Sequence, residues 1–143
     1  MSLALRLRDC MASFQALPAW VRPWVAVVLV PVNIAPFFFL ETSTGQAAAW
    51  ASAFVAVTNL PIMLQQRGMS RLMSLPHLVA WIPLVAWLLV RMAGAEPLEM
   101  AETTLAWALI TVNSLSLGFD GVDTWRWLAG ERDIPGFPAR HSL

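Results

Sequence analysis

Four uncharged polar residues are set inside the most apolar parts of this sequence: Asn33, Asn59, His77 and Asn113. Amide and imidazole groups are costly in hydrocarbon unless each finds a hydrogen-bond partner, so they usually face a bundle interior or a water-filled cavity. Pro31 and Pro36 bracket Asn33, Pro61 lies just beyond Asn59, and Pro76 precedes His77. Each proline withholds an N–H and frees a backbone carbonyl, and broken helices with freed carbonyls are one way in which transporters build midplane sites. The same residues also serve as glue, because interhelical hydrogen bonds of this kind contribute about 0.6 kcal/mol each. The candidates for a ligand or ion pathway are therefore Asn33, Asn59, His77 and Asn113.

Other spacings offer weaker chemistry. Met69, Met73 and His77 fall at i, i+4 and i+8, so on one continuous helix they share a face, and thioether with imidazole suits Cu(I). Methionine more often fills gaps in a core, and no Cys-X-X-Cys or neighbouring histidine supports a copper site, so no metal and no cofactor is expected. Asp120 and Asp123 lie i, i+3, a spacing that can hold a cation or share a proton. Arg126 is the ordinary partner for both, and Asp120, Asp123 and Arg126 are expected to form a structural charged cluster at the cytoplasmic end of the last span. Glu96, Glu99 and Glu102 repeat the i, i+3 spacing, with Glu102 placed to favour the positive N-terminal end of the last helix. Nucleophile elbows, zinc-protease pairs, phosphate loops and dinucleotide fingerprints are all missing, and no residue is assigned a catalytic role.

The elements that must position these residues follow from a shortage of charge. The chain has 143 residues, of which 58% are apolar and only 13% charged, with nine arginines balancing nine acids. Soluble domains carry roughly 25% charged residues, so a water-soluble fold would expose a large apolar surface. Neutral net charge and scattered arginines remove the footprint that nucleic-acid binding requires. A single cysteine, Cys10, excludes an intrachain disulfide. The absence of Lys and Tyr matches a GC-rich coding bias and points to a bacterial source.

Charges divide the sequence into four uncharged blocks, Pro23–Leu40, Thr42–Gln66, Leu72–Val90 and Thr103–Phe119, of 18, 25, 19 and 17 residues. A hydrocarbon core of about 30 Å takes roughly 17–25 residues of helix, so each block can span. With four spans, eight arginines fall on the side of the N-terminus and only Arg91 on the other. The positive-inside rule then places both termini in the cytoplasm. Seven of the eight tryptophans fall near a predicted interface, and Trp81, in mid-span, is expected to pack between helices. The second and fourth blocks are diluted by small and polar residues. Gly45, Ala49 and Ala53, and likewise Ala48, Ser52 and Ala56, recur at i, i+4 and i+8, which marks close helix packing and makes these two the expected inner helices.

Outside the spans, Leu3, Leu7, Cys10, Met11, Phe14 and Leu17 share one stripe at helical spacing, while Arg8, Asp9 and Gln15 lie off it. Residues 1–17 are thus read as an amphipathic interfacial helix ended by Pro18. A cleaved signal peptide is not expected, since Arg22 comes too late and Pro31 and Pro36 interrupt the apolar block. Residues 120–143 read as a helix extension, closed at Gly130, followed by a loose tail.

The expected architecture is an all-α, integral membrane four-helix bundle with an N-terminal interfacial helix: one membrane domain with spans near 23–40, 45–66, 72–90 and 103–119. The expected function is that of a non-catalytic accessory or interaction subunit of a bacterial inner membrane, with the lipid bilayer and a membrane-protein partner or a second copy as its contacts. The alternative is a small oligomeric transporter or channel with a polar mid-membrane site. A membrane enzyme built on His77, Asp120 and Asp123 stands third. Convergence of the four polar side chains on a hydrated cavity marks transport, and mutual hydrogen bonding in a dry core marks the accessory role.

Overall fold

The structure is a computed structural model that describes residues 2–94 and 96–137. It is 79% helical, and no strand occurs among the described residues. Helix α1 covers Leu3–Gln15, α2 Val21–Phe38, α3 Ser43–Gln66, α4 Ser74–Met92 and α5 Met100–Leu128. Helices α2, α3 and α5, and α4 together with the turn Arg71–Met73 that precedes it, are each long and apolar enough to cross a membrane. The charge-free blocks mark most of their ends to within three residues. The last does not, because α5 runs nine residues past Phe119 to Leu128.

Prolines shape α2. Pro31 supplies no N–H to Val27 and its ring crowds that carbonyl. The helix responds by widening to a π-helical segment over Trp24–Leu29, closed by a bond from the Val30 N–H to Val25 O. It then tightens to a 3-10 turn over Ala35–Phe38, where Pro36 ends it. The turn into α3 is built on Thr42, whose Oγ1 accepts from Gly45 N at 3.0 Å. Gly45 is obligatory there, since a Cβ would lie 1.9 Å from Phe39 O.

Helices α4 and α5 make the most extensive packing in the bundle. Trp81, Leu84 and Leu88 of α4 pack with Leu105, Ala106, Leu109 and Ile110 of α5, and Ala48 of α3 closes the cluster. Burial of the apolar windows rises from 11% in α2 and 17% in α3 to 28% in α4 and 39% in α5. The inner pair is therefore α4 and α5, a correction to the expected pairing of the second and fourth spans. The reason is side-chain volume: the alanines of α3 let the larger α4 residues fill the centre. Gly45, Ala48 and Ala49 are buried inside the bundle, whereas Ala56 is exposed.

Helix α1 docks at the end of the bundle with a mainly polar face that borders its apolar stripe. Arg6 donates to Leu64 O at 3.1 Å, Asp9 pairs with Arg67, Cys10 donates to Met63 O at 3.4 Å, and Ser13 Oγ accepts from Met69 N at 2.9 Å. These four residues fall at i, i+3, i+4 and i+7, one helical face. Cys10 lies where this face meets the apolar stripe, whose Leu3, Leu7 and Met11 remain exposed. Gly68 fits beneath α1 only because it lacks a Cβ, which would meet Ile134 Cγ2 at 2.5 Å and Ser13 Oγ at 2.7 Å. Residues 131–137 return over α1 after a reversal at Gly130, φ 98°, where Gly130 N bonds Trp127 O and Glu131 N bonds Arg126 O. The remainder of the expected tail, residues 138–143, falls outside the described residues. Helix α1, the α3–α4 connection and residues 131–137 so gather at one end, the arginine-rich end.

Candidate functional site

The four polar residues singled out in the spans form two separate pairs. Asn33 of α2 and Asn113 of α5 exchange amide hydrogen bonds, Asn33 Nδ2 to Asn113 Oδ1 at 2.9 Å and Asn113 Nδ2 to Asn33 Oδ1 at 3.2 Å. The second Asn33 amide hydrogen reaches Leu29 O at 3.0 Å, and Ser52 of α3 makes a long 3.5 Å contact with Asn33 Oδ1. Both asparagines are buried. This cluster is buried and largely satisfied, and it ties three helices together.

Asn59 and His77 belong to the second cluster, at the arginine-rich end. Asn59 Nδ2 lies 3.0 Å from His77 Nε2, and His77 Nδ1 lies 3.1 Å from Asp120 Oδ1. An amide nitrogen can only donate, so Nε2 accepts, the proton sits on Nδ1, and Nδ1–H donates to Asp120. His77 stacks on Trp81 one turn later, with ring centroids 4.2 Å apart and planes 8° from parallel. One turn towards the chain end, Ser74 and Thr124 hydroxyls meet at 2.7 Å and Arg71 Nε donates to Asp123 Oδ1 at 3.1 Å. Two oxygens of this relay, Asn59 Oδ1 and Asp120 Oδ2, are buried without a hydrogen-bond partner.

The expected cluster of Asp120, Asp123 and Arg126 is divided among other partners. Asp120 turns to His77, Asp123 to Arg71, and Arg126 to Glu131 at 2.7 Å. Side chains three apart on a helix compete with other partners, and here α4 and the turn before it take Asp120 and Asp123 while Glu131, just past the end of α5, takes Arg126. The Met69, Met73 and His77 face is broken in the same way: Pro76 occupies the first turn of α4, which begins at Ser74, Met73 ends a 3-10 turn, and Met69 is not helical. Among the described residues, no group of three or more His, Cys, Asp or Glu side chains is arranged to hold a metal.

At the opposite end, Glu102 of α5 is buried and accepts from Thr44 N and from Arg91, each at 3.3 Å. Glu102 lies in the first turn of its own helix, as expected, and also accepts from the N-terminal turn of α3. Arg91 also lies over the Trp87 ring, 5.7 Å from its centroid.

Beside the His77–Asp120 pair opens a cavity of about 790 Å3 between α2, α4 and α5, covered by the α1–α2 connection and residues 133–137. Trp20 and Phe119, with ring centroids 5.5 Å apart, stand at its wall. Sequence reasoning missed this cavity, and it grouped His77 with Asp120 and Asp123 only in its third reading, because residues 43 positions apart share no local spacing. Only the His77–Trp81 stack had a local signal, the i, i+4 spacing. Comparison with protein-family models, curated proteins and solved structures gives no match for this chain.

Proposed function

We propose that this protein spans the bilayer four times with both termini in the cytoplasm, and that it works as a non-catalytic accessory subunit against other membrane helices. The observation that carries this reading is the state of His77. Both of its ring nitrogens are engaged, one by Asn59 and one by Asp120, so the imidazole is used in joining α3, α4 and α5. The asparagine pair above it is likewise spent on holding helices together.

The small residues left for a partner are fewer than the sequence pattern suggests, since Gly45, Ala48 and Ala49 are used inside the bundle. What remains is a shallow groove of about 270 Å3 between α3 and α4, lined by Ala47, Ala51, Ala80, Pro83, Leu84 and Trp87. Its floor of alanines admits the ridge of a helix from a partner membrane protein. The test is native mass spectrometry of the protein released from its own membranes in mild detergent. A stoichiometric membrane partner is expected with the wild type and lost with Ala51→Phe, which fills the groove. A clean monomer from both overturns the accessory role.

A transport reading has one specific point in its favour, the carboxylate of Asp120 within a membrane-length helix and beside a cavity. Ion or solute flux in proteoliposomes containing this protein alone, lost in Asp120→Asn, is the outcome that would install it.

A further inference from the structure

The cavity at the arginine-rich end has the size and the chemistry of a ligand site. At about 790 Å3 it falls within the roughly 300–1,000 Å3 typical of small-molecule pockets. Its walls are mainly apolar and include the aromatic faces of Trp20, Trp24, Phe119 and Phe137. Its charged lining is unbalanced, with the carboxylates of Asp120, Asp123 and Asp133 against the guanidinium groups of Arg71 and Arg126. Both cations are already engaged, Arg71 by Asp123 and Arg126 by Glu131. Asp120 has only the imidazole of His77, which holds Oδ1 and leaves Oδ2 buried and without a donor. A buried carboxylate oxygen calls for a hydrogen-bond donor and for positive charge.

We propose that this cavity binds a lipophilic amine in its protonated form, with the apolar body against the aromatic walls and an ammonium N–H donating to Asp120 Oδ2. Three features select this class. The apolar lining rejects small hydrated cations, the excess of carboxylates rejects anionic amphiphiles, and the stranded oxygen gives a charged donor an advantage over a neutral one. Aromatic faces add cation–π attraction for the ammonium group. His77 is a positioning residue in this arrangement: held by Asn59 and stacked on Trp81, it fixes the Asp120 side chain through Oδ1. The site does not depend on the partner-docking reading, since the α3–α4 groove lies nearer the opposite end.

The test uses the full chain in nanodiscs of zwitterionic lipid, with empty nanodiscs subtracted, and three probes sharing one fluorophore: dansylcadaverine (a cation), dansylamide (neutral) and dansylglycine (an anion). Saturable binding of dansylcadaverine is expected, with a Kd at least tenfold below those of the other two. Asp120→Asn is expected to weaken it at least tenfold, and Val25→Trp, which fills the cavity from α2, to abolish it. Ala51→Phe is expected to leave it unchanged. Equal affinity for the neutral probe, tighter binding of the anion, or wild-type affinity in both Asp120→Asn and Val25→Trp overturns the proposal. Should Asp120→Asn fail to fold, the contrast among the three probes on the wild type and the Val25→Trp result still decide it.

Discussion

At the scale of the residue, the relay Asn59–His77–Asp120 shows how a local polar group acquires meaning from its neighbours. His77→Leu removes the sole donor to Asp120, while Asn59→Ala removes only a neutral donor to Nε2. An unsatisfied buried group costs about 1–3 kcal/mol, and more when it is charged. We therefore expect His77→Leu to lower the unfolding midpoint in detergent more than Asn59→Ala, and Asp120→Asn in the His77→Leu background to recover part of the loss. The reverse order would mean that Asp120 is not held by His77. Cys10 permits a pH test outside the spans. Burial first, and the Asp9 charge second, push its thiol above the ordinary value of 9.0. A raised folded-state value means that the associated stability is complete below the ordinary thiol value and is lost as pH rises through the raised folded-state value. At pH 8, alkylation of Cys10 by a water-soluble maleimide should be far slower in the folded protein than in the denatured chain, and α1 should loosen only at strongly alkaline pH. Rapid labelling at pH 8 would contradict the docked position of α1.

At the scale of the element, glycines separate turns that need them from helices that merely contain them. In Gly45→Ala the new methyl group falls on the backbone carbonyl of Phe39, which cannot give way cheaply. Overpacking of this kind costs roughly 1–3 kcal/mol, and this variant belongs at or beyond the upper end. Around Gly118 and Gly121 in α5 nothing lies within 4 Å of an added Cβ, and replacement by Ala is expected to stabilise by about 0.5–1 kcal/mol at each position. Chemical unfolding in detergent micelles reads both signs. The pairing of Asn33 with Asn113 belongs to this scale as well, because it joins the π-widened α2 to the central α5. A double-mutant cycle with Asn33→Ala and Asn113→Ala should return a coupling of about 0.6 kcal/mol, with ~1.7 kcal/mol as the ceiling. A coupling of zero would show that the two amides do not meet in the membrane.

At the scale of the whole molecule, α1, the α3–α4 connection and residues 131–137 assemble at one end while Arg91, Glu102 and the α2–α3 turn meet at the other. That arrangement accords with an even number of crossings. Reporter fusions at Gly136 and Gly94 are expected to give a cytoplasmic signal at the first and an external one at the second. A cytoplasmic signal at Gly94 would rule out four spans. The exposed Leu3, Leu7 and Met11 on α1 are then positioned to lie against the lipid surface, and replacing all three with Ser should release α1 into solvent without disturbing the spans, as read by hydrogen exchange.

Composition, periodicity and the placement of charge were enough to establish the helical class, four membrane-length segments and most of their ends, because insertion and helix formation depend on residues close in sequence. The residues able to do polar chemistry could be named in the same way, since a polar group amid apolar ones stands out without any structure. Which of them meet was settled only by packing. Asp120 pairs with His77 rather than Arg126, Glu102 in the first turn of α5 also takes the N-terminus of α3, and α1 docks through Arg6, Asp9, Cys10 and Ser13 along one edge of its apolar stripe. In each case the partner that the structure supplies lies 43 to 58 residues away. Local spacing limits which contacts a helix can make, but a buried polar group takes whichever partner the neighbouring helix brings within reach.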